Sequence, residues 1–108
     1  MSVSINEMTK DIHDNAVAHG WWESERSFGE IIALCHSELS EALESDRMAE
    51  PLVWHRPNGK PEGAAVEMID CIIRVLDWCG HAGVDVEAVL MEKHEYNKTR
   101  PYKHGKNY

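Results

Sequence analysis

Two pairs of acidic residues carry the spacing that does chemistry on a helix. Glu38 and Glu41 lie in "HSELSE", and Glu67 and Asp70 lie in "VEMID". A separation of three residues stacks two side chains on one helical face, one turn apart. If the two segments pack antiparallel, four carboxylates meet across one gap. That donor set is all oxygen and suits a hard divalent cation, Mg²⁺ or Mn²⁺, rather than zinc. Glu44 extends the first row by another turn. A helical di-iron centre needs Glu three residues before His, and the residues at that position before each histidine are Lys10, Ala16, Ala33, Leu52, Trp78, Met91 and Pro101. The iron chemistry is excluded on spacing.

The stretch "AAVEMIDCIIRVLDW" explains why the second pair is unusual. On a helical wheel, Glu67, Asp70, Arg74 and Asp77 fall in one narrow stripe, and most of the circumference is apolar. Burying several acids costs several kcal/mol (order of magnitude) unless cations compensate them. Arg74 is placed to neutralise Asp77 three residues away, which leaves Glu67 and Asp70 wanting a partner. Glu38 and Glu41 alone read as a solvated face. Together with an E-x-x-D pair on a helix fit for burial, they read as a metal site.

Four helices must position these groups. Ser4 with Glu7 and Ser27 with Glu30 form capping boxes that start the first and second helices. The first carries Ile5, Met8, Ile12 and Ala16 on one stripe and stops near Gly20. The second carries Phe28, Ile31, Ile32, Cys35, Leu39, Ala42 and Leu43. Residues 46–61 hold three of the four prolines and a glycine, which reads as a long irregular connection. The third helix spans about residues 62–79 and ends by Gly80 and Gly83. The fourth starts near Val86 behind Asp85 and reaches about Lys98, before Pro101 and an irregular tail. No alternating strand pattern is present. The expected fold is all-α, a four-helix bundle in a single domain over residues 1–108.

The chain carries a formal charge of −8, unevenly distributed. Residues 1–92 hold 18 acids against 6 bases, whereas residues 93–108 hold Lys93, Lys98, Arg100, Lys103 and Lys106 against Glu95 alone. The body therefore repels nucleic acid, and no long apolar run suggests a membrane span. A small polyanion fits if cations sit between it and the acids. Cys35, Cys71 and Cys79 are odd in number and form no C-x-x-C pair, so they read as buried thiols in a reducing cytoplasm. A domain this short buries a modest share of its surface, and so apolar a third helix points to a partner chain.

Glu38-Leu39-Ser40-Glu41, a spacer of 25 residues and Glu67-Met68-Ile69-Asp70 resemble the E-x-x-E…E-x-x-D signature of the MazG-like nucleoside triphosphate pyrophosphohydrolases. The ending "KHEYNKTRPYKHGK" resembles that family's basic closing segment. The likeness runs in order from "HGWW" onward. It implies hydrolysis of a nucleoside or deoxynucleoside triphosphate to the monophosphate and pyrophosphate, with Glu38, Glu41, Glu67 and Asp70 holding Mg²⁺. It also implies a bundle completed by dimerisation, as a homodimer or homotetramer. Glu38 or Glu41 would activate the water, and spacing does not choose between them. The tail would supply phosphate contacts through Lys93, Asn97, Arg100, Lys103 and Lys106, with Tyr102 a lesser candidate.

Base recognition is thinly marked. Trp21, Trp22 and Trp54 are candidates to stack on a base, Trp22 and Trp54 foremost, and His13 or His55 to hydrogen-bond it. His36 reads as a surface histidine and Trp78 as core or interface. A rival expectation from another class is a non-catalytic acidic helical dimer, an interaction module whose buried polar stripe sets helix register.

Overall fold

The computed structural model describes residues 2–106. Four α-helices and one short hairpin make up the described chain: α1 (Ile5–Ala18), α2 (Phe28–Arg47), β1 (Trp54–His55), β2 (Pro61–Glu62), α3 (Ala64–Ala82) and α4 (Val86–Lys98), followed by a single 3₁₀ turn at Tyr102–Gly105. The all-α expectation holds. The serine half of each capping box starts its helix as expected: Ser4 Oγ accepts from the Glu7 N–H at 3.0 Å and Ser27 Oγ from the Glu30 N–H at 3.1 Å. Asp85 does the same for α4, accepting from the Ala88 N–H at 3.1 Å.

α3 is the central element, with α1 and α2 packed along it. The α2–α3 pair is antiparallel. Phe28 at the start of α2 meets Trp78 late in α3, at 5.1 Å between ring centroids, and Glu38 meets Arg74 halfway along. α4 is tied to the beginning of α1 by a reciprocal set of bonds. The Asn6 N–H donates to Glu87 Oε1 at 3.0 Å, the Glu87 N–H donates to Asn6 Oδ1 at 3.1 Å, and Asn6 Nδ2 donates to Asp85 at 2.9 Å.

Two boundaries differ from the sequence expectation. Gly80 does not end α3; it lies inside the helix, and a Cβ there would stand 2.6 Å from His13 Cβ. Its glycine allows α1 to approach, and the stop falls at Gly83, whose φ of 71° is left-handed. Residues 46–61 are also not wholly irregular. Trp54 pairs with Glu62 and His55 with Pro61, antiparallel. Asn58-Gly59 turns the hairpin, with Gly59 at φ 91°, its N–H donating to the Arg56 carbonyl, and Asn58 Oδ1 accepting from the Lys60 N–H.

Gly63 joins hairpin to α3 at φ 118°, and a Cβ there would lie 2.3 Å from the Leu52 carbonyl oxygen. Gly63→Ala is therefore expected to cost about 2–3 kcal/mol of stability. Gly59→Ala, with nothing within 4 Å of the added carbon, should cost about 1 kcal/mol. Urea denaturation of the two variants tests this; equal costs would mean the Leu52 contact does not govern the junction.

The single chain builds a thin core. Ile31, Cys35 and Ala42 are its buried apolar residues, and no large side chain among those described is fully enclosed. Its radius of gyration is 16.4 Å, where about 13 Å is usual for a compact chain of this length. Leu39 and Leu43 on α2, and Met68, Ile69, Ile72 and Val75 on α3, remain 41–53% exposed. Among the described residues no helix is long and apolar enough to cross a membrane.

Candidate functional site

The acids converge where α2 crosses the first half of α3. One carboxylate oxygen each from Glu38, Glu67 and Asp70 lies within 4.8 Å of the others, with Glu38 buried and the other two half-buried. Such proximity leaves the group short of positive charge. Burial, hydrogen bonding with Glu38 and Glu41, and repulsion from Glu41 and Asp70 push the Glu67 carboxyl up to about 7. Asp70 is also raised, by burial first and then by Glu38, against the opposing charges of Arg74 and Lys60. Glu41 is exposed and stands outside the three-oxygen group, on the Glu67 side. Glu44 lies beyond it, lining an acidic cavity of about 320 Å³ with Glu41, Glu50, Glu62 and Glu67.

This cluster fits a hard cation on the chemistry of its donors. All are carboxylate oxygens, they come from two helices, and Glu67 and Asp70 hold their protons more tightly than ordinary carboxylic acids do. Glu38, Glu67 and Asp70 would hold Mg²⁺, with Glu41 in reach of Glu67.

Arg74 corrects one expectation. It does not neutralise Asp77; its Nε donates to Glu38 Oε1 at 2.9 Å. The reason is the neighbours. α2 packs on the Glu38 side of α3, while α1 and the turn after it pack around Asp77. Asp77 is 8% exposed. It accepts from Trp22 Nε1 at 2.9 and 3.1 Å and lies 2.8 Å from His13 Nδ1. The polar stripe of α3 is thus split between a metal-type cluster and a buried hydrogen-bond pin.

A cavity of about 490 Å³ opens beside Glu38 and Asp70, walled by Asn15, Trp21, Arg26 and Arg74. Trp22 does not line it. Its indole N–H is spent on Asp77 and its ring stacks on His81 at 4.1 Å. Its neighbour Trp21, 53% exposed, is the tryptophan that faces the cavity. Trp54 lies on the hairpin under Arg56, with its Nε1 buried and unpartnered. His13 is engaged with Asp77, and His36 and His55 are exposed.

The basic tail is not brought to the acids within one chain. None of Lys93, Asn97, Arg100, Lys103 and Lys106 lines either cavity. Lys93 rests over Tyr96 and Lys103 over Tyr102. Asn97 Oδ1 is buried without a partner, and Arg100 is half-buried.

Among the described residues, the cations that act on the cluster are Arg74, bonded to Glu38, and Lys60, whose charge is felt at Asp70. Lys60 pairs with Glu62 at 3.0 Å, as Arg56 does at 3.4 Å. The signal for Lys60 was the Asn58-Gly59 dipeptide, which marks a hairpin and hence a return of the chain toward α3. The fold and site are those of an all-α protein with a cluster of three carboxylates, two of which, Glu38 and Asp70, line a cavity. Comparisons with protein-family models, with curated proteins and with solved structures gave no match.

Proposed function

We propose that this protein is a Mg²⁺-dependent nucleoside triphosphate pyrophosphohydrolase of MazG-like type, working in the cytoplasm as a homodimer or homotetramer. The observation that carries the reading is the convergence of Glu38, Glu67 and Asp70 within 4.8 Å, with the Glu67 carboxyl pushed up to about 7. Mg²⁺, when bound, supplies neutralisation of the triphosphate and acidifies a water. Glu41, outside the three-oxygen group, accepts the proton as water adds to the α-phosphorus. The bond from that phosphorus to the bridging oxygen breaks, and pyrophosphate leaves with the electron pair. Phosphoryl transfer asks the protein chiefly for positioning and charge, which the acids, Arg74 and Lys60 provide. Trp21 lines the same cavity and offers the nucleotide an aromatic contact there. A second copy covering Leu39, Leu43, Met68 and Ile72 would complete the thin core, and sedimentation should give a dimer or larger.

The test is pyrophosphate release from a panel of standard and modified triphosphates with Mg²⁺. Release that chelation abolishes is the expected result. A folded protein that binds Mg²⁺ and releases nothing from any of them would defeat the proposal.

The Arg74–Glu38 ion pair favours a second reading, a non-catalytic helical dimer, because it satisfies part of the polar stripe without metal. Calorimetry separates the two. The enzyme binds Mg²⁺ saturably in the millimolar range or tighter, whereas an interaction module takes up none.

A further inference from the structure

Arg26 and Arg74 share an arrangement that the metal cluster does not use. Arg26 arrives from the turn before α2 and Arg74 from the middle of α3, and both line the cavity of about 490 Å³. Their guanidinium carbons lie over the same ring, 5.3 and 5.9 Å from the Trp21 centroid. Arg26 also lies 5.7 Å from the Trp22 ring, yet it makes no hydrogen bond or ion pair with any described residue. Arg74 spends its Nε on Glu38, and among the described residues its two terminal nitrogens have no hydrogen-bond acceptor. Asp77 lines the same cavity, but its oxygens are engaged by Trp22 and His13.

We propose that Arg26 and Arg74 form a seat for a phosphoryl group on the Trp21 side of this cavity. Like charges gathered over one ring repel, and an anion between them relieves that repulsion. A guanidinium presents a planar fork of donors that matches phosphate oxygens. With Arg74 Nε anchored on Glu38, its free terminal nitrogens hold the seat beside the acid cluster. A body with so much negative charge gives anions no general welcome, so saturable binding there requires a built site. The seat stands or falls separately from hydrolysis, because its test omits metal.

The experiment is calorimetric titration of the metal-free protein, in chelator at fixed ionic strength, with pyrophosphate and with AMP and CMP as separate probes. At least one probe should bind saturably. Arg26→Gln and Arg74→Gln should each weaken that binding roughly tenfold or more, whereas Lys10→Gln, which removes the same charge outside the cavity, should leave it within about twofold. Binding of pyrophosphate alone assigns the seat to the leaving group; binding of the monophosphates assigns it to the nucleotide's own phosphate. Either result supports the seat. No saturable binding by any probe overturns it, as does an equal loss in all three variants. If Arg74→Gln does not fold, Arg26→Gln decides alone, since Arg26 bonds to nothing whose loss would unfold the chain.

Discussion

Replacing Glu67 with glutamine is expected to do two opposite things: cut the proposed pyrophosphate release and stabilise the metal-free protein. The side chain is half-buried between two helices that already carry Glu38, Glu41 and Asp70. A neutral amide of the same shape removes one of the crowded charges and can donate to Glu38 or Glu41. The carboxyl sits at about 7 in the folded chain against 4.5 for an ordinary glutamate. The folded state therefore holds a proton that the unfolded chain has released between those values. Its contribution to stability is present below about pH 4.5 and is lost as pH rises through about 7.

Allowing for the partial exposure of the group, that contribution is on the order of 1–2 kcal/mol. Urea denaturation in chelator should show wild-type stability falling from pH 5 to pH 8 and a flatter profile for Glu67→Gln. Mg²⁺ should restore wild-type stability at pH 8 by mass action on the folded state and restore the variant little. On the proposed reading, activity falls by roughly a hundredfold or more, since even indirect supports of a metal site carry up to that. Matching pH profiles in the two proteins would show that Glu67 carries its proton no differently from a surface glutamate.

The helices and the acid pairs were legible because both are local. A capping box needs only Ser and Glu three apart, and Ser4 and Ser27 cap their helices as read. The i, i+3 rule likewise placed Glu67 and Asp70 on one face of α3. What a wheel leaves open is which neighbour each face meets. Arg74 and Asp77 share a face with the right spacing for a pair, yet α2 claims the first through Glu38, while α1 and the turn after it claim the second through His13 and Trp22. Gly80 looked like a helix terminator because glycine is usually read through its own backbone, whereas here its missing side chain serves α1. The hairpin was hidden by prolines, although Asn58-Gly59 marked it. The tail's basic charge was plain, but its place depends on contacts far along the chain, and α4 is tied to the start of α1.

Removing the Asp77 carboxylate should cost more stability than any other single truncation on the polar stripe. Asp77→Ala leaves the Trp22 indole N–H and His13 Nδ1 without the acceptor they share at 2.9 and 2.8 Å. Deleting one member of a buried charged network costs about 3–5 kcal/mol when its partners are left unpaired, and a small domain has only about 5–15 kcal/mol in total. A loss of about 3 kcal/mol is expected for alanine. Asp77→Asn should lose about half as much, because its amide oxygen still accepts from Trp22.

The damage would not stop at stability. Trp22 is held on one side by Asp77 and on the other by His81, stacked at 4.1 Å, and it precedes by four residues the Arg26 that reaches over Trp21. Loosening the pin lets this turn move, so pyrophosphate or nucleotide affinity should fall while Mg²⁺ affinity, set by Glu38, Glu67 and Asp70, stays within about twofold. Denaturation midpoints, near-ultraviolet tryptophan signals and Mg²⁺ calorimetry on the two variants measure each part. An alanine variant as stable as wild type, or one whose Mg²⁺ affinity collapses with its stability, would mean that Asp77 is not a pin separate from the metal cluster.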